Sequence, residues 1–163
     1  MKAENKKIIR VDYHNDTHTE DLLAMLNEYA SSLEGGAAPL SPATRNNLIP
    51  ALRERSDAVS LLCYIDNKPV GILNAFEGFS TFNAKPLMNV HDLAVSETVR
   101  GQGIAGMLLD ALAKIAEQKN CCKLTLEVLS NNAPAIKCYQ NNGFKQYVLA
   151  GEMGVAQFWQ KNI

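Results

Sequence analysis

Between Leu87 and Glu117 the chain passes from a strongly apolar segment, Leu87 to Val95, through Arg100-Gly101-Gln102-Gly103-Ile104-Ala105-Gly106 into a helical pattern. No other stretch restricts the fold as much. Ile104, Met107, Leu108, Ala111, Leu112 and Ile115 recur on one helical face, with Asp110, Lys114 and Glu117 on the other. Glycines at 101 and 103 let the main chain turn sharply and let another group approach its N–H donors at the helix start. Strand, glycine turn and helix in succession point to an α/β arrangement.

Gly101 to Gly106 also spells GxGxxG, and Glu127 closes a strand-like segment about twenty residues later, which taken mechanically is the dinucleotide-binding fingerprint. Three features oppose that reading. Ser96 to Arg100 intervene between the strand and the first glycine, where the fingerprint runs on almost directly. Too few residues follow for the further βα units of such a domain. Arg100 stands immediately before the turn, where a guanidinium beside main-chain N–H groups suits a pyrophosphate without any nicotinamide.

Elsewhere the two periods alternate. Ile8 to Asp12 is an expected strand. Thr17-His18-Thr19-Glu20 has capping-box spacing ahead of Leu22, Leu23, Leu26 and Tyr29, and Gly35-Gly36 ends that helix. A second helix is expected from Ser41 with Pro42 at its first position, kinked or split by Pro50. Val59–Ile65 and Val70–Phe76 form a hairpin about Asp66-Asn67-Lys68-Pro69. Lys123–Val128 is a further strand, and Asn132–Asn142 a last helix stopped by Gly143. Phe144–Leu149 and Val155–Gln160 are expected as two closing strands.

The 163 residues carry 16 Lys+Arg against 17 Asp+Glu, and 47% are apolar, which excludes disorder and makes a nucleic-acid partner unexpected. The longest run without Asp, Glu, Lys or Arg, Gly35 to Thr44, is far short of a membrane span, so no membrane partner is expected. Met1 to Lys7 is charged and lacks the apolar core of a signal peptide. Cys63, Cys121, Cys122 and Cys138 have no ligand spacing, so no metal is expected; free thiols in a reducing, cytoplasmic setting are the expectation.

Arg100-x-x-Gly103-x-Ala105, placed after Asp92-Leu93-Ala94-Val95 and before an amphipathic helix, resembles the acyl-CoA-binding motif of the GNAT superfamily of N-acetyltransferases. Downstream, Glu127-Val128, Asn132-x-x-Ala135-Ile136-x-x-Tyr139 and Gly143-Phe144 resemble the same superfamily's second half, in the right order. The segment Phe79 to Val95 is similar to the branch of spermidine/spermine and related small-amine acetyltransferases.

The resemblance implies one α/β (α+β) domain over residues 1–163. Its mixed, mostly antiparallel twisted sheet would have about six to seven strands, with about four helices on both faces. It implies direct transfer of an acetyl group from acetyl-CoA to a primary amine of a small molecule; acetylation of a protein amine, or acyl-CoA binding without catalysis, are the alternatives. Gly101, Gln102, Gly103, Ile104 and Ala105, with Arg100, would hold the pyrophosphate. Leu93, Ala94 and Val95 would offer backbone groups to the pantetheine arm, the strand bulging near Val95. Asn132 would bond the pantetheine or serve as an ordinary helix cap. Tyr139 would protonate the leaving thiolate or pack on the sheet.

His91 stands where that branch commonly has glutamate. It is either a base, since an imidazole titrates near working pH, or a packing residue. His14 and His18, ahead of the first helix, read as surface residues. Asp92 and Phe79 are candidate acceptor contacts, with Glu28, Glu34 and Glu152 as further carboxylates for a cationic amine. The family is often dimeric, so a homodimer is expected.

Overall fold

Five strands lie side by side in chain order: β1 (Lys6–Arg10), β2 (Ala58–Ile65), β3 (Lys68–Ser80), β4 (Lys85–Val95) and β5 (Leu124–Leu126). The first three junctions are antiparallel and the β4–β5 junction is parallel. Among the described residues the chain forms four α-helices: α1 (Asp16–Ser31), α2 (Pro42–Arg53), α3 (Ile104–Gln118) and α4 (Ala133–Asn141). Residues 5–148 and 154–163 are described in this computed structural model. They fall into two compact units, Met1–Leu126 and Glu127–Ile163.

In the first unit, pleat alternation assigns the helices to opposite faces of the sheet. Leu62 and Ile72 are buried with Leu22 and Met25 of α1 and Ile49 and Leu52 of α2. Their neighbours Cys63 and Gly71 face the other way, where a Cβ on Gly71 would come within 2.9 Å of the Ile104 side chain and 3.2 Å of Leu108, both on α3. Gly71 is thus the gap into which α3 settles. Asp66 and Asn67, at φ of +48° and +63°, make the two-residue hairpin turn between β2 and β3.

Several elements differ from the sequence reading. The α1 cap is Asn15, whose side chain accepts from the His18 N–H at 3.1 Å; the expected box at Thr17 lies inside the helix. His18 therefore belongs to the first turn, and its Nδ1 accepts from the Asp12 N–H. Pro50 sits in α2 without splitting it. It forfeits one main-chain bond on the exposed side while Ile49 and Leu52 anchor the turn in the core. β3 runs unbroken through Gly78 to Ser80.

The sheet has five strands where six to seven were expected, because the described residues of the two closing segments do not form strands. Among the described residues of the second unit, they share one antiparallel bridge, Val148 to Val155. Tyr147, Val148, Val155, Phe158 and Trp159 are all exposed there, so strand-forming composition finds no face to bury. Leu149 and Glu152 lie outside the described residues. In the same unit Gly143, at φ +82°, ends α4 as expected, and the Phe144 N–H reaches back to the Tyr139 carbonyl.

Candidate functional site

Gly101 and Gly103 both adopt φ +79°, a conformation that side chains disfavour, and nothing stands within 4 Å of where their Cβ atoms would be. The turn is therefore open on its outer side. Gly103 is the N-cap of α3 and supplies no side-chain cap, so the first-turn N–H groups of a 15-residue helix have no side-chain acceptor. Two cations flank this end. Lys6 Nζ donates to the Gln102 carbonyl at 3.1 Å, and Arg100 Nε donates to the Val95 carbonyl at 3.2 Å. Open N–H donors, a helix dipole and two cations form a donor set that fits a pyrophosphate.

β4 leads into this turn, and the phase of its hydrogen bonds is fixed at the end. Ser96 N–H donates to the Val70 carbonyl, so Ala94 and Asp92, two and four residues earlier, also direct their main-chain groups at β3. Leu93 and Val95 turn theirs to the opposite edge. The parallel partner β5 pairs with β4 only from Met88 to Val90, so it does not extend to Leu93 or Val95. The N–H groups of Leu93 and Val95 thus lie on that edge, where the Val95 carbonyl already accepts from Arg100.

The bulge, however, is not near Val95. Asn74 pairs with Asp92 and Ala75 with Val90, which leaves His91 as the one extra residue of β4, four positions earlier than expected. An unbroken pleat would send His91 and Asp92 to opposite faces. The bulge turns both to the same face. The exposed His91 ring meets Phe76 edge-on, with centroids 5.0 Å apart, while Asp92 Oδ2 accepts from Asn74 Nδ2 at 3.0 Å. Phe76 also carries the Arg55 guanidinium at 5.0 Å from its centroid, and Arg55 is paired with Asp57 at 2.6 Å.

Behind Asp92 lies a chain of polar groups. Ser60 Oγ donates to Asn74 Oδ1 at 2.6 Å, and Tyr13 OH lies 2.9 Å from Ser60 Oγ. Ser60 and Asn74 are only 2% and 6% exposed. Burial pushes the Tyr13 phenol above its ordinary value, against the lowering effect of the Ser60 bond. Tyr29 is likewise raised, by burial first and then by the negative charges of Asp92 and Glu34. Two of the candidate carboxylates therefore act on one tyrosine.

Phe79 is not brought to this cluster. It lies three residues past Phe76, on the opposite face by alternation, and is 64% exposed. In the second unit, Asn132 caps α4, its Oδ1 accepting from the Ala135 N–H at 3.2 Å. Tyr139 stacks edge-to-face on Phe144, 5.9 Å between centroids. The residues the sequence reading missed are Tyr13, Ser60, Asn74 and Tyr29. A signal existed for two of them: Ser60 and Asn74 each stand alone among apolar neighbours, in Ala58–Cys63 and Val70–Phe76.

The Acetyltransferase (GNAT) family model matches residues 21–144. A streptothricin acetyltransferase of Escherichia coli is 29% identical over 144 residues, covering 88% of this chain and 73% of that protein. The structure of AAC(6')-Iy in complex with the bisubstrate analog CoA-S-monomethyl-acetylneamine superposes with a TM-score of 0.77 at 17% identity, covering 98% and 99% of the two chains. An aminoglycoside acetyltransferase from an uncultured soil metagenomic sample, in complex with sisomicin, gives 0.75 at 18% identity, covering 96% and 95%.

Proposed function

The chain belongs to the acetyltransferase (GNAT) family, and from that premise we propose that it moves an acetyl group from acetyl-CoA to a primary amine of a small, cationic molecule by direct attack. The acceptor class is that of streptothricin and the aminoglycosides, the substrates named in the relatives' own descriptions. The spermidine-like amines of the branch that the central segment resembles stay in the acceptor panel. The observation that carries this reading is the open donor set at Gly101–Ala105 on the strand-to-helix turn that follows His91 and Asp92.

When bound, acetyl-CoA supplies the activated thioester carbonyl. Arg100 and the N–H groups of Gly101 to Ala105 hold the pyrophosphate, with Lys6 adding positive charge. Leu93 and Val95 offer main-chain groups to the pantetheine arm. Asp92, with Glu34, draws the ammonium of the acceptor; one proton passes to water as the ammonium becomes the neutral amine, and His91 takes the second as nitrogen attacks. Tyr139 is assigned the proton for the leaving thiolate by the resemblance alone. The four free thiols accord with a cytoplasmic enzyme, and a homodimer is the oligomer proposed from family habit.

Thermal melting of the protein alone, with acetyl-CoA and with NADH tests the cofactor. Acetyl-CoA at a hundred times its Kd stabilises by ~2.7 kcal/mol, a rise of roughly 5–10 °C for a chain of this size. A rise with NADH alone would overturn the reading. CoA release with streptothricin, neamine and spermidine then ranks the acceptors.

A further inference from the structure

Buried polar side chains in a sheet are costly unless each finds a partner, so a run of them needs a reason. Tyr13, Ser60, Asn74 and Asp92 come from the loop after β1 and from β2, β3 and β4, and they form one continuous chain of hydrogen bonds across the sheet. Its direction is fixed. Ser60 has one hydroxyl proton and gives it to Asn74 Oδ1, so at the 2.9 Å contact Tyr13 is the donor. Asn74 accepts through its oxygen and must therefore present its NH2 to Asp92. The amide cannot flip without placing its NH2 against the Ser60 proton and its oxygen against the carboxylate.

We propose that Tyr13, Ser60 and Asn74 are positioning residues: they form a one-way relay that locks one oxygen of Asp92 and leaves the other free for the ammonium of the acceptor. This rests on the acceptor role given to Asp92 above. Only Asp92 touches the acceptor; the other three act through it. Arg53 steadies the far end, its Nε donating to the Tyr13 carbonyl at 2.7 Å. The relay spans four segments, so it transmits the spacing of β2 and β3 to the one carboxylate beside the bulge. The raised phenol of Tyr13 keeps its proton throughout the neutral range, as its donor role requires.

The test is a mutant cycle read with streptothricin, neamine and spermidine as acceptors and acetyl-CoA as donor. Asn74→Leu removes both ends of the amide at similar volume, and Ser60→Ala is a gentler break should Asn74→Leu fail to fold. Each should raise the KM of the acceptor by about tenfold for the first and several-fold for the second, with the acetyl-CoA Kd unchanged. In an Asp92→Ala background the same changes should add less than about twofold, because they no longer have a carboxylate to position. Full additivity in that background, or an unaltered acceptor KM, would overturn the relay. If the wild-type protein binds acetyl-CoA but acetylates none of the three amines, the cationic-acceptor reading itself fails and the relay falls with it.

Discussion

The turn from Arg100 to Ala105 and the β4 face carrying His91 and Asp92 are neighbours in sequence but are built by different means. In the turn the groups proposed to bind are main-chain N–H donors, and the side chains matter chiefly by being absent: Gly101 and Gly103 hold φ +79° with open space around them. On β4 the groups proposed to act are side chains, and what matters is which way they point. That direction is decided by one surplus residue in the count of β4 against β3. The first kind of site tolerates changes in surrounding packing and fails on a backbone change. The second tolerates backbone-neutral changes and fails when a partner two strands away is removed.

Substitution at His91 should separate the two halves most sharply. His91→Gln is expected to lower turnover about a hundredfold while acetyl-CoA binding, followed by melting, stays as it was. An unchanged turnover would leave His91 a ring packed on Phe76 and nothing more. Gly103→Val is the converse. A β-branched side chain at positive φ costs about 1–2 kcal/mol, so the free turn should relax to another conformation and acetyl-CoA affinity should fall roughly 5- to 30-fold for restoring it. Binding that survives intact would mean the turn is not an anion cradle.

The smallest effect concerns alkaline stability. Tyr13, Tyr29 and Tyr64 have phenols raised from 10.0, chiefly by burial, and in Tyr64 also by its hydrogen bond to Asp21 at 2.6 Å. A group whose folded value is raised contributes stability that is present below its unfolded value and lost above it. Stability should therefore decline as pH rises past about 10, where the unfolded chain ionises first. Tyr64→Phe should shallow that decline in a urea-melt series. A series indifferent to Tyr64 would put the buried phenols outside the pH response.

How far each half was legible follows from the same contrast. Gly101-Gln102-Gly103 can be read directly, since glycine is the residue that positive φ calls for. Nothing in Asn89-Val90-His91-Asp92-Leu93 announces a bulge. Simple alternation puts His91 and Asp92 on opposite faces, and the surplus residue exists only relative to β3. The partners of Asp92 were hidden for a related reason: Ser60 and Asn74 are directly opposite each other only once the β2–β3 register is set. Helices were easier, because a 3.6-residue period is a local property; α3 and α4 lie within two residues of their expected bounds. The closing segments failed in the other direction. Val148, Val155, Phe158 and Trp159 favour strands by composition, but composition creates no burial, and among the described residues theirs is slight.

The position of His91 also has a bearing on how such a strand tolerates length change. Asn74 faces Asp92 and Ala75 faces Val90, so if residue 91 were excised the flanking pairs would close into a regular ladder with every other side chain on its present face. β4 is thus a complete strand with one residue spliced in, and that residue is the one assigned to carry the proton. A lineage could gain or shed this function through a single codon insertion or deletion, leaving the core of the sheet in frame.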